Sequence, residues 1–262
     1  MKRKHIIFFV GVALFASPLA YPQIEEQKGL AIAQEADERD NGWVSASMSF
    51  TMTLKNKSGQ ETVRNLHSQM LEVENDGDKS LVVFDNPADV KGTASLVFTH
   101  KTGDDDQWLY LPALKQVKRI SSSNKSGPFM GSEFAYEDMA SQEVEKYTYK
   151  FVGLSQANST ECFLVERYPV DKNSGYKRQQ VWYNKQHYRV EKIDYYDRKD
   201  ALIKTLTYSG FQLYLDKFWR ADQMLMQNHQ TGKQTLLTFT DYQFNIGLMA
   251  ENFTQNSLKN AK

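Results

Sequence analysis

The sequence predicts a mainly-β protein of the α+β class, in which one large antiparallel sheet curls into a half-barrel and a few helical segments cover its concave, apolar face. Three observations carry this. Between residues 44 and 54, apolar Val44, Ala46, Met48, Phe50, Met52 and Leu54 alternate with polar Ser45, Ser47, Ser49, Thr51 and Thr53, which gives a strand one dry face and one wet face. Further β-forming runs bounded by turn residues recur about every 8 to 15 residues to the end of the chain. Helical periods are few, and about a dozen antiparallel strands make a sheet too wide to stay flat.

The elements follow in order. Residues 1–20 read as a secretory signal: Lys2, Arg3 and Lys4, an apolar run from Ile6 to Leu14, then small residues and Pro18. That run is shorter than the roughly 20 residues a membrane-spanning helix needs. Cleavage after Ala20 is the first choice and after Ala16 the second, leaving residues 21–262 as a single domain without an internal linker. Residues 24–39 combine good helix formers, acids in the first turn and a partly apolar face of Ile24, Leu30, Ala31, Ala33 and Ala36, ending before Asn41-Gly42. After strand 44–54 and the turn Asn56-Lys57-Ser58-Gly59, strands are expected over 61–74, 79–85, 93–100, 107–111 and 115–120. Beyond a polar loop come strands 146–154, 161–170, 176–184, 188–196, 201–215, 218–227 and 233–241. The remaining helix candidates are 87–91, 132–145 and 247–258, and with the first helix they are the material for a lid over the concave face. The convex face is expected to be wet.

Composition narrows the function. With 32 Lys+Arg against 32 Asp+Glu, dispersed among one another, the chain lacks the clustered positive excess of a nucleic-acid surface. The single cysteine, Cys162, lies in the apolar run Cys162-Phe163-Leu164-Val165, so an exported chain relies on burial rather than on an internal disulfide. No cysteine stands near the cleavage region to accept a lipid anchor. The chain is expected in the periplasm as a soluble, non-lipidated monomer.

Catalytic spacings are missing. There is no GxSxG, HExxH, Walker, GxGxxG or CxxC pattern, and no nucleophile, base and orienting group can be assembled, so no enzyme activity and no cofactor are expected. His67, His100, His187 and His229 are scattered without a ligand spacing, and no metal is expected. Asp76, Asp78 and Asp104-Asp105-Asp106 fall at hairpin tips, where solvated acids are ordinary. What the chain has in quantity is methionine, with 14 tyrosines and 15 phenylalanines. Flexible, polarisable methionine adapts to apolar partners of mixed shape, so a Met-lined concavity suits acyl chains; the same residues also make an ordinary core.

Residues 85–140 concentrate the choice. Gln107-Trp108-Leu109-Tyr110-Leu111-Pro112 is a strand stopped by proline, followed by the basic alternation Lys115, Val117, Lys118, Arg119, Ile120. Residues 121–127 have no apolar anchor, yet they deliver Phe129, Met130, Phe134, Tyr136 and Met139. One reading makes Phe129 and Met130 a mobile gate resting on a cavity rim; the other makes them fixed core. The residues expected to bind an apolar ligand are Met48, Phe50, Met52, Phe98, Trp108, Tyr110, Phe129, Met130 and Phe134. Lys115, Lys118 and Arg119 are expected to meet an anionic headgroup or an acidic partner.

The pattern Phe84-Asp85-Asn86-Pro87, Lys91-Gly92-Thr93-Ala94, Gln107 to Leu114, Val117 to Ile120, Phe129-Met130-Gly131-Ser132 and Phe134 to Asp138 resembles the outer-membrane lipoprotein-sorting, LolA-like periplasmic carriers. The likeness runs from the helix ending Ala36-Asp37-Glu38-Arg39 through the later strands. It implies a fold similar to LolA, LolB and the regulator RseB, an unclosed antiparallel β-barrel whose cavity is covered by helices. It further implies transport of lipoprotein acyl chains or another lipid between the inner and outer membranes, in a branch whose members accompany RND/MMPL-type inner-membrane transporters. The second function it implies is an RseB-like sensor of lipoproteins or envelope stress that reports to a membrane partner.

Overall fold

A computed structural model describes residues 20–260; the expected signal at 1–20 lies, but for Ala20, outside the described residues. Thirteen antiparallel strands form one curved sheet that does not close: β1 (Ser45–Lys55), β2 (Glu61–Leu71), β3 (Lys79–Asn86), β4 (Ala94–Phe98), β5 (Asp106–Leu111), β6 (Gln116–Ile120), β7 (Tyr147–Ala157), β8 (Thr160–Pro169), β9 (Arg178–Asn184), β10 (Val190–Tyr196), β11 (Leu202–Tyr214), β12 (Phe218–Asn228) and β13 (Gln234–Phe244). Their spatial order is β6-β5-β4-β3-β2-β1-β13-β12-β11-β10-β9-β8-β7, so β1 closes the only break in sequence order by pairing with β13. β6 and β7 are the free edges, and the chain between them spans the gap. This is the unclosed, LolA-like barrel.

Period-two alternation sets the concave face. Phe84, Leu66, Phe50 and Phe239 are successive cross-strand partners, and so are Met226, Leu206, Ile193, Val181, Val165 and Phe151. These rows make one continuous core from β3 to β7. Helix α1 (Ala20–Asp40) lies against β7 and adds Ile32, Ala33 and Ala36 to it. Gly29 permits that approach, because a Cβ there would stand 2.8 Å from the backbone of Lys150 and Phe151.

The other expected cover differs from the sequence reading. Residues 87–91 form a turn, and 132–145 contain only 3-10 turns at Tyr136–Met139 and Val144–Lys146. The segment joining β6 to β7 folds back on itself instead: Phe129 N–H donates to Phe134 O, Tyr136 N–H to Gly127 O and Glu137 N–H to Lys125 O. Those pairings use the backbone groups a helix would need. The tail forms a short α2 (Gln255–Asn260), which packs on β4 and β5. It covers the convex side: Leu81, Val83, Ala94 and Leu96, opposite in parity to Val82 and Phe84, are buried with Phe253 and Leu258. The convex face is therefore dry over β3–β5, not wet throughout.

Candidate functional site

The concave face is not completely filled. A cavity of about 970 Å³ is bounded by β1, β2 and β3 on one side, β7 to β13 on the other, the C-terminal half of α1 and residues 134–144. Met48, Phe50, Met70, Val82, Met224 and Phe239 give it an apolar floor. Its size falls at the upper end of the roughly 300–1,000 Å³ typical of small-molecule sites.

The sequence-predicted residues divide into three groups. Met48, Phe50 and Phe134 line the cavity. Met52 and Phe129 are wholly buried in the same core without lining it, and Met130 packs half-buried beside them. Phe98, Trp108 and Tyr110 are displaced: they share the parity of Leu96 and lie under the C-terminal tail on the convex side, with Phe98 and Trp108 edge to face at 5.2 Å. These three do not reach the concave cavity. Lys115, Lys118 and Arg119 are exposed on edge strand β6 and the turn before it, and Arg119 pairs with Asp106. Charges there also keep a free edge from pairing with another sheet.

The gate reading needs Phe129 and Met130 at a rim, and the structure places Phe129 in the core. Its ring is tilted against Phe84 at 6.0 Å and edge-on to Tyr136 at 5.5 Å. The neighbouring residues are pinned to the sheet: Arg64 donates to Met130 O at 2.6 Å, Glu133 N–H to Thr235 Oγ1 at 2.9 Å, Asn228 to Glu133 Oε2 at 2.7 Å and Lys204 to Glu133 O at 3.1 Å. Lys204 also pairs with Asp138 at 2.7 Å, both side chains being under a tenth exposed. Deep apolar burial and these contacts make the segment a plug.

One border of the cavity is polar. Asp37 and Asp40 at the end of α1, Glu72, Asp76 and Asp78 after β2, and Glu143 gather there, interspersed with Arg39, Lys101, Arg189, Lys217 and Arg220. Glu72 accepts the backbone N–H groups of Gly42 at 2.6 Å and Val44 at 2.8 Å, tying the end of α1 to β2. Burial, and then the charge of Glu143, push Asp78 up to about 7, and burial raises Glu143 as well. Burial also raises Asp37 and Asp40, the latter opposed by Arg220.

Sequence reasoning missed most of this lining: Met70, Val82, Met224 and Phe239 on the floor and, the one buried cation among them, Arg167 on β8. It is 6% exposed and shares the inward parity of Val165 and Phe163, a period-two signal visible in the sequence itself. Among the described residues no helix is long and apolar enough to cross a membrane, and no cluster of His, Cys, Asp and Glu is arranged to hold a metal.

Comparison with known proteins adds the following. A family model described as an uncharacterized protein matches residues 76–260. A solved structure from Vibrio parahaemolyticus, provisionally described as an outer membrane lipoprotein-sorting protein domain, is 54% identical, covers 89% of this chain and 99% of its own, and superposes with a TM-score of 0.88. A DUF1329 family protein from Desulfovibrio piger is 30% identical over 89% of this chain and 99% of its own, with a TM-score of 0.84. A LolA superfamily protein from Nitrosomonas europaea, 21% identical, covers 87% of this chain and 98% of its own at a TM-score of 0.70, a likeness of fold. No curated protein matches the chain.

Proposed function

The chain belongs to the LolA-like family of outer-membrane lipoprotein-sorting proteins, and from that premise we propose that it is a periplasmic carrier that holds the acyl chains of a lipoprotein or another lipid in its concave cavity and ferries them between the inner and outer membranes. The observation that carries this reading is the unfilled apolar space itself. Met48, Phe50, Met70, Val82, Met224 and Phe239 line it instead of meeting across it, whereas the same sheet is packed solid around Met52, Leu66, Phe129 and Met226. Burying about 0.8 kcal/mol per CH₂ gives a tail of a dozen carbons ~10 kcal/mol before ordering and association costs, enough for useful affinity without any covalent step.

Export by the N-terminal signal, a monomeric single-domain mature chain and delivery from an RND/MMPL-type inner-membrane transporter belong to the same proposal. Lys118 on the edge strand and Lys115 in the turn before it are exposed, where an acidic surface of such a transporter can meet them. The test is mass spectrometry of an organic extract from gently purified protein. A lipid at near-stoichiometric amount is expected, and Phe50→Asp, which puts a charge on the cavity floor, should abolish it. Repeated absence of lipid from the wild-type chain, together with exclusion of fluorescent fatty-acid probes, would sink the carrier reading.

A further inference from the structure

Two cations among the described residues are more than nine-tenths buried, and they are treated differently by the fold. Lys204 has its counter-ion, Asp138, at 2.7 Å. Arg167, on the cavity wall, pairs with no carboxylate among the described residues. Its hydrogen bonds go to neutral amides: Nε donates to Gln179 Oε1 at 2.6 Å and Nη2 to Gln142 Oε1 at 3.2 Å. The guanidinium lies over the Tyr147 ring, 4.5 Å from its centroid. Its cross-strand partners are Tyr149 and Gln179, and Tyr149, Tyr183 and Tyr208 line the same cavity.

An arginine cannot shed its proton to escape burial, so this charge persists in a wall otherwise furnished with phenols and amides. Burial pushes the Tyr147 phenol up to about 12 and raises Tyr149 and Tyr208 as well, so the surrounding hydroxyls stay protonated and add no negative charge. Tyr147 and Tyr149 spend their hydroxyls on Gln142 Oε1 and Val144 O. What this stretch of wall offers is therefore the Arg167 guanidinium, which no carboxylate pairs, with the Tyr183 and Tyr208 phenols in the same lining. The cavity's carboxylates lie on its polar border and at Asp138, which Lys204 pairs. A planar guanidinium is shaped for two-point contact with a carboxylate or a phosphate.

We propose that Arg167 receives an anionic group of the cargo, so that the cavity takes an acidic amphiphile whose chain lies along the Met-rich floor and whose carboxylate or phosphate sits at the guanidinium. This rests on the carrier reading and sharpens it. The competing role for Arg167 is purely architectural, holding Gln142 and through it the plug against β8, and that role carries no preference for charge in the ligand.

The test uses the purified chain and displacement of bound Nile red by three amphiphiles of equal chain length: dodecanoate, dodecyl phosphate and dodecanol. At least one anion should displace the dye at about tenfold lower concentration than dodecanol, the factor expected from a charge-assisted hydrogen bond inside a cavity. A lead for dodecyl phosphate points to a phosphate headgroup as the source, and a lead for dodecanoate points to a fatty acid. In Arg167→Gln the preference should vanish while dodecanol binding is kept, and Arg167→Lys should retain part of it. Equal displacement by all three in the wild-type chain overturns the inference and leaves carriage standing, a comparison that needs no variant to fold. A preference that survives in Arg167→Gln overturns the assignment to this residue. If neither Nile red nor any amphiphile binds, carriage itself fails and the inference falls with it.

Discussion

Replacing Phe129 by alanine measures whether the segment between β6 and β7 is a plug or a gate. The ring has no solvent exposure, contacts Phe84 and Tyr136, and stands in the same cluster as Leu66 and Met226. A fully enclosed Phe→Ala change costs about 3–5 kcal/mol, and two aromatic neighbours place this site in the upper half of that range. Little relaxation is available to close the hole, because Arg64, Thr235, Asn228 and Lys204 hold the adjoining residues in place. Against a total stability of about 5–15 kcal/mol, the loss should move the urea midpoint well outside experimental error. Met130→Ser, at a half-buried neighbour in the left-handed region at φ 50°, should cost about 1 kcal/mol. The assay is equilibrium urea unfolding followed by tryptophan fluorescence, with the slope checked for constancy. A change below about 1 kcal/mol for Phe129→Ala, accompanied by altered lipid affinity, would refute the plug and restore a gate at the rim.

Three other outcomes follow from the same structure. Asp78 holds its proton more tightly folded, near 7, than unfolded, near 3.8, so its stabilising contribution is complete below the unfolded value and disappears as pH rises through the folded one. Asp78→Asn should therefore raise stability at pH 8 by about 1–3 kcal/mol and change little at pH 4, after discounting for partial exposure; equal urea midpoints of the two proteins at pH 8 would contradict it. Gly29→Val would push a side chain into the Lys150 and Phe151 backbone and should cost about 1–3 kcal/mol while exposing β7 amides to hydrogen exchange; an unchanged melting temperature would show that α1 is not seated there. Leu258→Ser, in a side chain with no exposure, should release the tail and shift Trp108 emission to the red with a loss of about 2–4 kcal/mol, and emission that stays put would place Trp108 elsewhere.

Strands and the first helix were legible because their signals are local. Alternation from Val44 to Leu54 needs no knowledge of partners, and the helix formers before Asn41-Gly42 speak for themselves. Facing was harder, since a one-residue change of parity turns every side chain to the other side of the sheet. In β3 to β5 both faces are apolar: Val82 and Phe84 point to the cavity side, Leu81, Val83, Leu96, Phe98, Trp108 and Tyr110 to the tail. Nothing in a doubly apolar run says which side is concave, so three residues went to the wrong face. The plug was misread for a different reason. Residues 132–145 contain fair helix formers, but Tyr136 and Glu137 N–H donate to Gly127 O and Lys125 O and Phe134 O accepts from Phe129 N–H, and that tertiary pairing is invisible to propensity.

Access to the cavity follows from which of its walls are fixed. The plug contributes Phe134, Asp138 and residues 139–144 to the lining, and it is tied to β2, β11, β12 and β13 around residues 130–138. The polar border is made of the last turn of α1, the Gly42–Val44 connection and the 72–78 turn, held together by the Asp40–Arg220 pair, by Arg39 donating to Gln186 O and by Glu72 accepting from Gly42 and Val44. The Arg39 and Glu72 contacts are solvent-exposed and exchange with water at small net cost, and the Asp40–Arg220 pair is only part-buried, whereas moving Phe129 means exposing a wholly buried ring. If the cavity takes a chain as proposed, the free-energy difference favours the α1 border as the side that yields. Under the carrier proposal an acidic headgroup passing there would meet Arg39, Lys217 and Arg220 interspersed with Asp37, Asp40, Glu72 and Asp78, so the border gives it no net attraction, and the first cation without a carboxylate partner that it reaches is Arg167 within.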